Sequence, residues 1–318
     1  MGRTVAARLT PLLTVTDLRV SFGGHQRVAG VSYRLEAGKT LGVVGESGSG
    51  KSLSALALLG LVPQPGEVSG SVTLQGQELL SQSARDWQAI RGAQIAMVFQ
   101  EPMTALNPVM RIGHQIAEAM VLHRAASWAQ AEAEAVRLLD AAGIAAAAAR
   151  AQAYPHLLSG GMRQRAMIAM ALAGQPALLV ADEPTTALDV TIQAQILDLL
   201  AEKQAETGMA MLFISHNLAV VSEVADEIAV MYAGRVVERA SADALFAAPR
   251  HPYTLALIAT LPDPSRRAER MATISGQLGG STPGCAFAPR CARADRACMV
   301  VPELREVAPD HFVACVRA

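Results

Sequence analysis

The chain combines short apolar runs that predict strands with long stretches in which apolar residues have helical spacing. Residues 12–20 alternate apolar and polar positions in their second half, and residues 28–35 repeat the pattern after a Gly23-Gly24 turn, which predicts an antiparallel strand pair. Further strands are predicted at residues 40–44, 71–74, 95–99, 177–181 and 211–214. Residues from about 104 to 173 show helical spacing and no strand-like run, which predicts an all-helical insert.

A glycine-rich loop, residues 45–52, joins the predicted strand 40–44 to an Ala/Leu-rich helical stretch and is called the phosphate loop below. It fits G-x-x-x-x-G-K-[ST] in the strand–loop–helix context that a nucleotide-binding loop needs. We expect Lys51 to reach the β- and γ-phosphates of a nucleoside triphosphate and Ser52 to bind Mg²⁺. The loop residues expected to bind the nucleotide are Gly45, Ser47, Gly48, Ser49, Gly50, Lys51, Ser52 and Leu53.

Polar residues follow three later strands. Asp182 and Glu183 end one strand, and we expect Asp182 to hold Mg²⁺ and Glu183 to polarise the attacking water. Gln100 and His216 end two others. Because α/β sheets bind ligands beyond the carboxyl ends of their strands, we expect Gln100 beside the phosphates and Mg²⁺ and His216 at the γ-phosphate.

Phe22 and the segment 159–161 each have both a functional and a structural interpretation. Phe22 could stack on an adenine ring or serve as a core aromatic. Ser159 is a natural helix cap, and Gly160 and Gly161 leave N–H groups open to an anion, although a capped surface helix is the plain alternative.

The composition of the chain mainly excludes classes of protein. The 318 residues suffice for one large domain with an appendage or for two domains, and 27 basic against 28 acidic residues give no overall field that favours nucleic acid. No apolar stretch approaches the roughly 18 to 20 residues of a membrane span, and no apolar signal-peptide core follows the N-terminus. We therefore expect a cytoplasmic protein that contacts a membrane through a partner.

Four cysteines lie close together near the C-terminus, at positions 285, 291, 298 and 315. Four thiolates suit a [4Fe–4S] cluster or a structural Zn²⁺, and sulfur ligands do not separate the two. The usual C-x₂-C zinc spacing is missing, so unligated thiols or a disulfide stay open. Because this tail has few core-forming residues, a ligated site is expected to act as a structural staple.

Together these motifs resemble, in order and spacing, those of the ATP-binding-cassette (ABC) ATPases over residues from about 12 to 248. The corresponding elements are Walker A (45–52), the Q-loop (Gln100), the signature (158–162), Walker B (178–183), the D-loop (186–189) and the H-loop (His216). The common signature has Gln where this chain has Met162. The resemblance implies catalytic roles for Lys51, Glu183 and His216.

The resemblance also implies a fold and a domain organisation. The fold is an α/β P-loop NTPase with a RecA-like core, an antiparallel β subdomain and an all-helical signature subdomain at about 104–173. The nucleotide-binding domain spans 1–248, and a small cysteine-containing extension spans 249–318. Two sites form between paired ATPases, so Ser159, Gly160, Gly161 and Met162 would face the partner's ATP, with Asp189 in the D-loop.

Residues 159–165 and 182–191 look closest to the ATPases of bacterial dipeptide, oligopeptide and nickel importers, and so does the tail, with His251-Pro252-Tyr253 and Cys285 to Cys291. This branch implies ATP-driven peptide uptake at the cytoplasmic face of the bacterial inner membrane, with nickel or glutathione-like substrates as alternatives. Its expected partners are a second, related ATPase, two permease subunits and an extracytoplasmic binding protein. Some members carry an iron–sulfur cluster, as Cys285, Cys291, Cys298 and Cys315 would allow.

The rival class is a cassette ATPase that acts on nucleic acid. Such proteins place coiled coils or zinc modules in the insert, and this insert has neither sustained heptads nor cysteines. We therefore expect no nucleic-acid partner.

Overall fold

The computed structural model describes residues 11–186, 188–261, 274, 276 and 283–318. The strands are β1 (Leu13–Phe22), β2 (His25–Leu35), β3 (Thr40–Val44), β4 (Glu67–Leu74), β5 (Gln77–Glu78), β6 (Ile95–Val98), β7 (Leu178–Asp182), β8 (Ala210–Ser215), β9 (Glu227–Tyr232), β10 (Arg235–Ser241), β11 (Arg305–Ala308) and β12 (His311–Val313). The helices are α1 (Lys51–Leu58), α2 (Ala84–Ile90), α3 (Pro102–Ala105), α4 (Ile112–Arg124), α5 (Trp128–Ala141), α6 (Ala147–Ala151), α7 (Gly160–Ala173), α8 (Val190–Thr207), α9 (Leu218–Val224), α10 (Ala242–Ala247) and α11 (Pro252–Ala259). Short 3₁₀ turns occupy Pro155–Leu157, Ala288–Arg290 and Arg296–Met299.

The larger sheet has the strand order β11-β12-β10-β9-β3-β8-β7-β6. Its strands β9, β3, β8, β7 and β6 are parallel, and β10, β12 and β11 continue it in antiparallel fashion. Every residue of β3, β7 and β8 is buried, as expected for parallel strands that are covered on both faces. The register pairs Val44 with Ser215 and Asp182 with Ile214, so these three strands end at one edge.

The two faces of the larger sheet belong to different cores. Leu41 and Val180 pack with α1 and the smaller sheet, whose order is β2-β1-β4-β5. Leu179 and Phe213, on the opposite face, pack with the helical insert. Successive side chains of a strand point to opposite faces of the sheet. One face of the larger sheet therefore packs against α1 and the antiparallel sheet, and the other packs against the helical insert.

The insert predicted as all-helical contains α3 to α7 between Pro102 and Ala173. Helix α5 starts with a capping box in which Ser127 and Gln130 satisfy each other's backbone N–H groups. Helix α7 starts at the cap predicted for Ser159, whose hydroxyl accepts from the Met162 N–H at 3.3 Å.

The C-terminal extension is joined to the core sheet instead of standing apart. Strand β12 pairs with β10, with Glu238 opposite Val313, and β11 pairs with β12. Tyr253 and Phe287 are buried in the same core as the helical insert. We expected this tail to have few core-forming residues, but the described part of it contributes a strand to the core sheet and buried aromatic residues to the core.

No helix in the described ranges combines the length and the apolar character needed to cross a bilayer.

Candidate functional site

The phosphate loop follows β3 and leads into α1, at the edge where the parallel strands end. Two of its glycines are required by close packing. A Cβ at Gly45 would lie 2.1 Å from the Met231 carbonyl oxygen, and one at Gly50 would lie 2.8 Å from the Arg27 carbonyl oxygen. Gly50 also has a φ of 98°, which favours glycine.

Lys51 is buried at the first position of α1, and its side chain turns back into the loop. Its Nζ donates to the carbonyl oxygens of Gly45 at 2.6 Å and Glu46 at 3.0 Å. Burial lowers the pKa of Lys51, and the nearby carboxylates of Glu183, Asp182 and Glu46 oppose that effect. The ammonium group of Lys51 therefore lies within the loop that is expected to bind the phosphates.

Ser52 and Asp182 are two of the three residues expected at Mg²⁺, and Gln100 is the third. The Ser52 hydroxyl donates to Asp182 Oδ1 at 3.0 Å. Asp182 is buried, and burial raises the pKa of its carboxyl group, while the hydrogen bond from Ser52 lowers it. A hydroxyl and a carboxylate are hard oxygen ligands of the kind Mg²⁺ prefers, so these two residues fit the ion.

The carboxylate of Glu183 contacts three other side chains of the site. Its Oε2 accepts from Gln100 Nε2 at 3.2 Å and from Thr186 Oγ1 at 2.7 Å, and it lies 3.1 Å from His216 Nδ1. Glu183 itself has a φ of 49°, and its N–H donates to the Ile214 carbonyl at the end of β8. This left-handed turn ends β7 and points the chain toward the D-loop.

The structure brings Lys51, Ser52, Asp182, Glu183, Gln100 and His216 to one edge of the sheet. Thr186 belongs with them, although we did not predict it as a site residue. Its position three residues after Glu183 could have indicated this contact, because a β-turn brings the fourth residue back close to the first.

Other predicted ATP-binding residues surround the loop. Ser47 and Gly48 are exposed at its tip, Ser49 is buried, and Leu53 is half-buried on α1. Phe22 is half-buried at the end of β1 and packs beside Gly66, where an added Cβ would lie 2.8 Å from the ring. The described contacts of Phe22 are therefore those of a core-edge aromatic, and its stacking on adenine stays a prediction.

The signature residues take no part in these described contacts. Ser159 and Gly160 are exposed at the start of α7, Gly161 and Met162 are half-buried, and an added Cβ at Gly160 would meet nothing within 4 Å. Among the hydrogen bonds of the described residues, none joins 159–162 to the phosphate loop.

Two side chains anchor the signature and D-loop regions. Buried Gln164 of α7 donates to the Pro184 carbonyl at 2.7 Å and so connects the signature helix to the turn after Glu183. Asp189 caps α8 by accepting from the Ile192 N–H at 2.9 Å.

The four cysteines line one cavity of about 20 Å³ next to His251. All four are free thiols, and burial raises the pKa of Cys285. The part of the chain that the structure describes contains no group of three or more His, Cys, Asp or Glu side chains placed to hold a metal ion. The described side chains are therefore not arranged as the expected iron–sulfur or zinc site, although all four thiols line one cavity.

Comparison with known proteins decides the family. Residues 28–186 match the family model described as ABC transporter, and residues 237–298 match that of the oligopeptide/dipeptide transporter C-terminal region. The chain belongs to the ABC transporter family. It is 47% identical over 313 residues to the oligopeptide transport ATP-binding protein OppD of Escherichia coli, covering 96% of this chain and 93% of that protein.

Two further relatives show the same similarity. A probable peptide ABC transporter ATP-binding protein, y4tR of Sinorhizobium fredii, is 48% identical, with 96% of this chain and 95% of the relative covered. OppD of Mycobacterium tuberculosis is 48% identical and covers 97% of this chain, which spans only 52% of that protein.

Solved structures agree on the fold. CbiO1 from Clostridium perfringens, part of the ABC transporter complex cbiONQ, has a TM-score of 0.65 at 25% identity, covering 75% of this chain and 91% of its own. The dimeric ATP-binding cassette MJ0796 with ADP and phosphate has a TM-score of 0.65 at 24% identity, covering 72% and 98%. These likenesses confirm the predicted P-loop cassette with its mixed sheets.

Proposed function

We propose that this protein is the ATP-hydrolysing subunit of an ABC importer that powers uptake of peptides across the bacterial cytoplasmic membrane. One observation carries the proposal: Glu183, Gln100 and His216 meet at the same sheet edge as Lys51 and the Ser52–Asp182 pair. The match of residues 237–298 to the peptide-transporter C-terminal region supports the substrate class.

Each residue has a separate role in this mechanism. Lys51 and the loop N–H groups bind the phosphates, while Ser52 and Asp182 hold Mg²⁺, which neutralises charge on the phosphate oxygens when bound. Glu183 orients the attacking water and accepts its proton. His216 and Gln100 already contact Glu183, and in this mechanism they also contact the γ-phosphate, so they connect its position to that carboxylate.

The proposal includes partners. The exposed signature residues Ser159 and Gly160, with Gly161 and Met162, support a second cassette whose ATP they would contact on closure. We propose a related ATPase as that partner, two permeases that carry the chain at the cytoplasmic face of the membrane, and an extracytoplasmic binding protein that delivers peptide.

The test is reconstitution of the transporter in vesicles with its permeases and second ATPase. We expect peptide-loaded binding protein to stimulate ATP hydrolysis and peptide uptake together. Uptake of nickel chelates or glutathione in place of peptides would correct the substrate class. Stimulation of the free ATPase by DNA, with no effect of the binding protein, would contradict the importer function.

The cysteine cavity supports a narrower proposal, that the thiols of Cys285, Cys291, Cys298 and Cys315 hold a [4Fe–4S] cluster or Zn²⁺. The support is their convergence from three separate segments of the tail on one cavity. Because no three of them are placed as metal ligands, loading would require the side chains to move. The role of such a site would be structural.

A further inference from the structure

Glu46, the second residue of the phosphate loop, is held by the C-terminal extension at two different groups. Its backbone N–H donates to the hydroxyl of Tyr253 at 2.9 Å. Its carboxylate Oε2 accepts from Arg290 Nη1 at 2.9 Å. Its carbonyl oxygen accepts from Lys51, so the same residue contacts the extension and the phosphate-binding cation.

The position of the Tyr253 hydroxyl is fixed by its surroundings. Tyr253 is fully buried on α11, and its ring packs against Tyr232 and Phe287, with centroid distances of 4.7 and 5.4 Å. Tyr232 directly follows Met231, whose carbonyl lies against Gly45. The aromatic contacts and the phosphate loop therefore share one segment of β9.

Arg290 is similarly enclosed. Its side chain is 5% exposed, and it also donates to the Tyr232 hydroxyl at 3.4 Å and to the Ile274 carbonyl at 3.2 Å. It ends the 3₁₀ turn Ala288–Arg290 and immediately precedes Cys291. Both residues that hold Glu46 thus come from the region 249–318, which contains none of the ATPase motifs.

These contacts act on ATP binding in two ways. The bond from the Glu46 N–H to Tyr253 holds the loop backbone in one conformation, and a pre-organised loop loses less conformational entropy when a ligand binds. The ion pair with Arg290 compensates the negative charge of the Glu46 carboxylate, which lies beside the expected site of the ATP phosphates. Without the guanidinium, that carboxylate would repel the phosphates in a partly buried, weakly screened environment.

We propose that Tyr253 and Arg290 are positioning residues for ATP, through which the C-terminal extension holds the phosphate loop in its binding geometry. The inference rests on the proposed nucleotide site and assigns this extension a role in ATP affinity. Neither residue reaches Glu183 or His216 in the described contacts, so the effect falls on KM for ATP and not on kcat.

The first test replaces Tyr253 with Phe in the full-length chain, measured in the assembled transporter. We expect KM for ATP to rise about fivefold, the equivalent of one net hydrogen bond, with kcat within about twofold of wild type. Tyr33→Phe is the matched control, because Tyr33 is also buried and its hydroxyl has no hydrogen-bond partner among the described residues. Its KM should not change.

The second test separates charge from packing. Arg290→Met should raise KM for ATP about tenfold, because an ion pair beside the phosphates is lost, and Arg290→Lys should retain most of the affinity. Adding Glu46→Gln to Arg290→Met should restore part of the affinity, since the uncompensated carboxylate is then gone. A purely structural defect would not be rescued by this second change.

Titration of the wild-type chain with ATP distinguishes failure of the positioning role from failure of the proposed function. If the wild type binds ATP and both Tyr253→Phe and Arg290→Met keep its KM, the positioning role is wrong and the proposed function stands. A fall in kcat at unchanged KM, or no rescue by Glu46→Gln, would also overturn the inference. If the wild type itself binds no ATP, the proposed function fails and this inference fails with it.

Discussion

The Nδ1 atom of His216 lies 3.1 Å from the Oε2 atom of Glu183, although 33 residues separate them in the chain. They meet because β7 and β8 are parallel neighbours and Asp182 lies opposite Ile214. Gln100 and Thr186 contact the same oxygen. One carboxylate oxygen therefore receives contacts from three other residues of the site, two of which follow other strands.

Replacing Glu183 with Gln should stop hydrolysis without preventing ATP binding. The amide keeps the size and the hydrogen bonds of the side chain but cannot accept a proton from water. We expect the ATP turnover of the assembled transporter to fall at least about 100-fold, the usual effect of losing a general base. ATP affinity should stay near wild type, because Lys51 and Ser52 are untouched.

The control for this experiment is Glu223→Gln, which removes the same charge from an exposed position on α9. Its turnover should equal that of wild type. Wild-type turnover in the Glu183→Gln transporter would show that another group activates the water.

The bond from Gln164 to the Pro184 carbonyl should contribute measurably to stability. Leu at position 164 would leave that buried carbonyl without its donor, at a cost of about 1–3 kcal/mol in the free energy of unfolding. Urea denaturation of the full-length chain measures the change. Gln88→Leu, at an exposed position of α2, should stay within about 0.5 kcal/mol of wild type, and an equal loss in both variants would contradict the assignment.

Stability should depend on the titration of His251. Burial lowers the pKa of this histidine from 6.5 to about 4, and its Nδ1 accepts from the Tyr253 N–H at 3.0 Å. Its contribution is therefore complete above pH 6.5. As the pH falls toward 4 the unfolded chain binds a proton that the folded chain does not, and up to about 3 kcal/mol is lost.

Comparison with His251→Asn isolates this effect, because Asn keeps the helix cap of α11 and does not titrate. Between pH 6.5 and 4 the melting temperature of wild type should fall faster than that of the variant. Parallel pH profiles would show that His251 is protonated in the folded state as readily as in the unfolded one.

Metal analysis of protein purified without oxygen tests the cysteine proposal. About four irons per chain, with visible absorbance that disappears in Cys291→Ser, are expected for a cluster. About one zinc per chain would keep the staple and replace its metal. Protein without either metal, with four thiols titratable, would show that the cavity holds plain cysteines.

Local patterns were sufficient to predict much of the fold. Alternation placed β1 and β2, apolar runs placed β3, β6, β7 and β8, and helical spacing located the insert that contains α3 to α7. The parallel strand β9 was not predicted. The glycines of the phosphate loop identified the nucleotide site, because close backbone packing excludes other residues there. The hydrogen bond from Thr186 to Glu183 was not predicted, since it depends on the φ of 49° at Glu183.

The sequence by itself predicted which residues would bind phosphate and magnesium, because glycines, a lysine and carboxylates at strand ends have that chemistry wherever the strands meet. Only the tertiary structure decided that Tyr253 and Arg290 contact Glu46, across separations of 207 and 244 residues. Spacing along the chain says nothing about such contacts. They exist because β12 joins the edge of the core sheet and the aromatic residues of the extension pack against Tyr232.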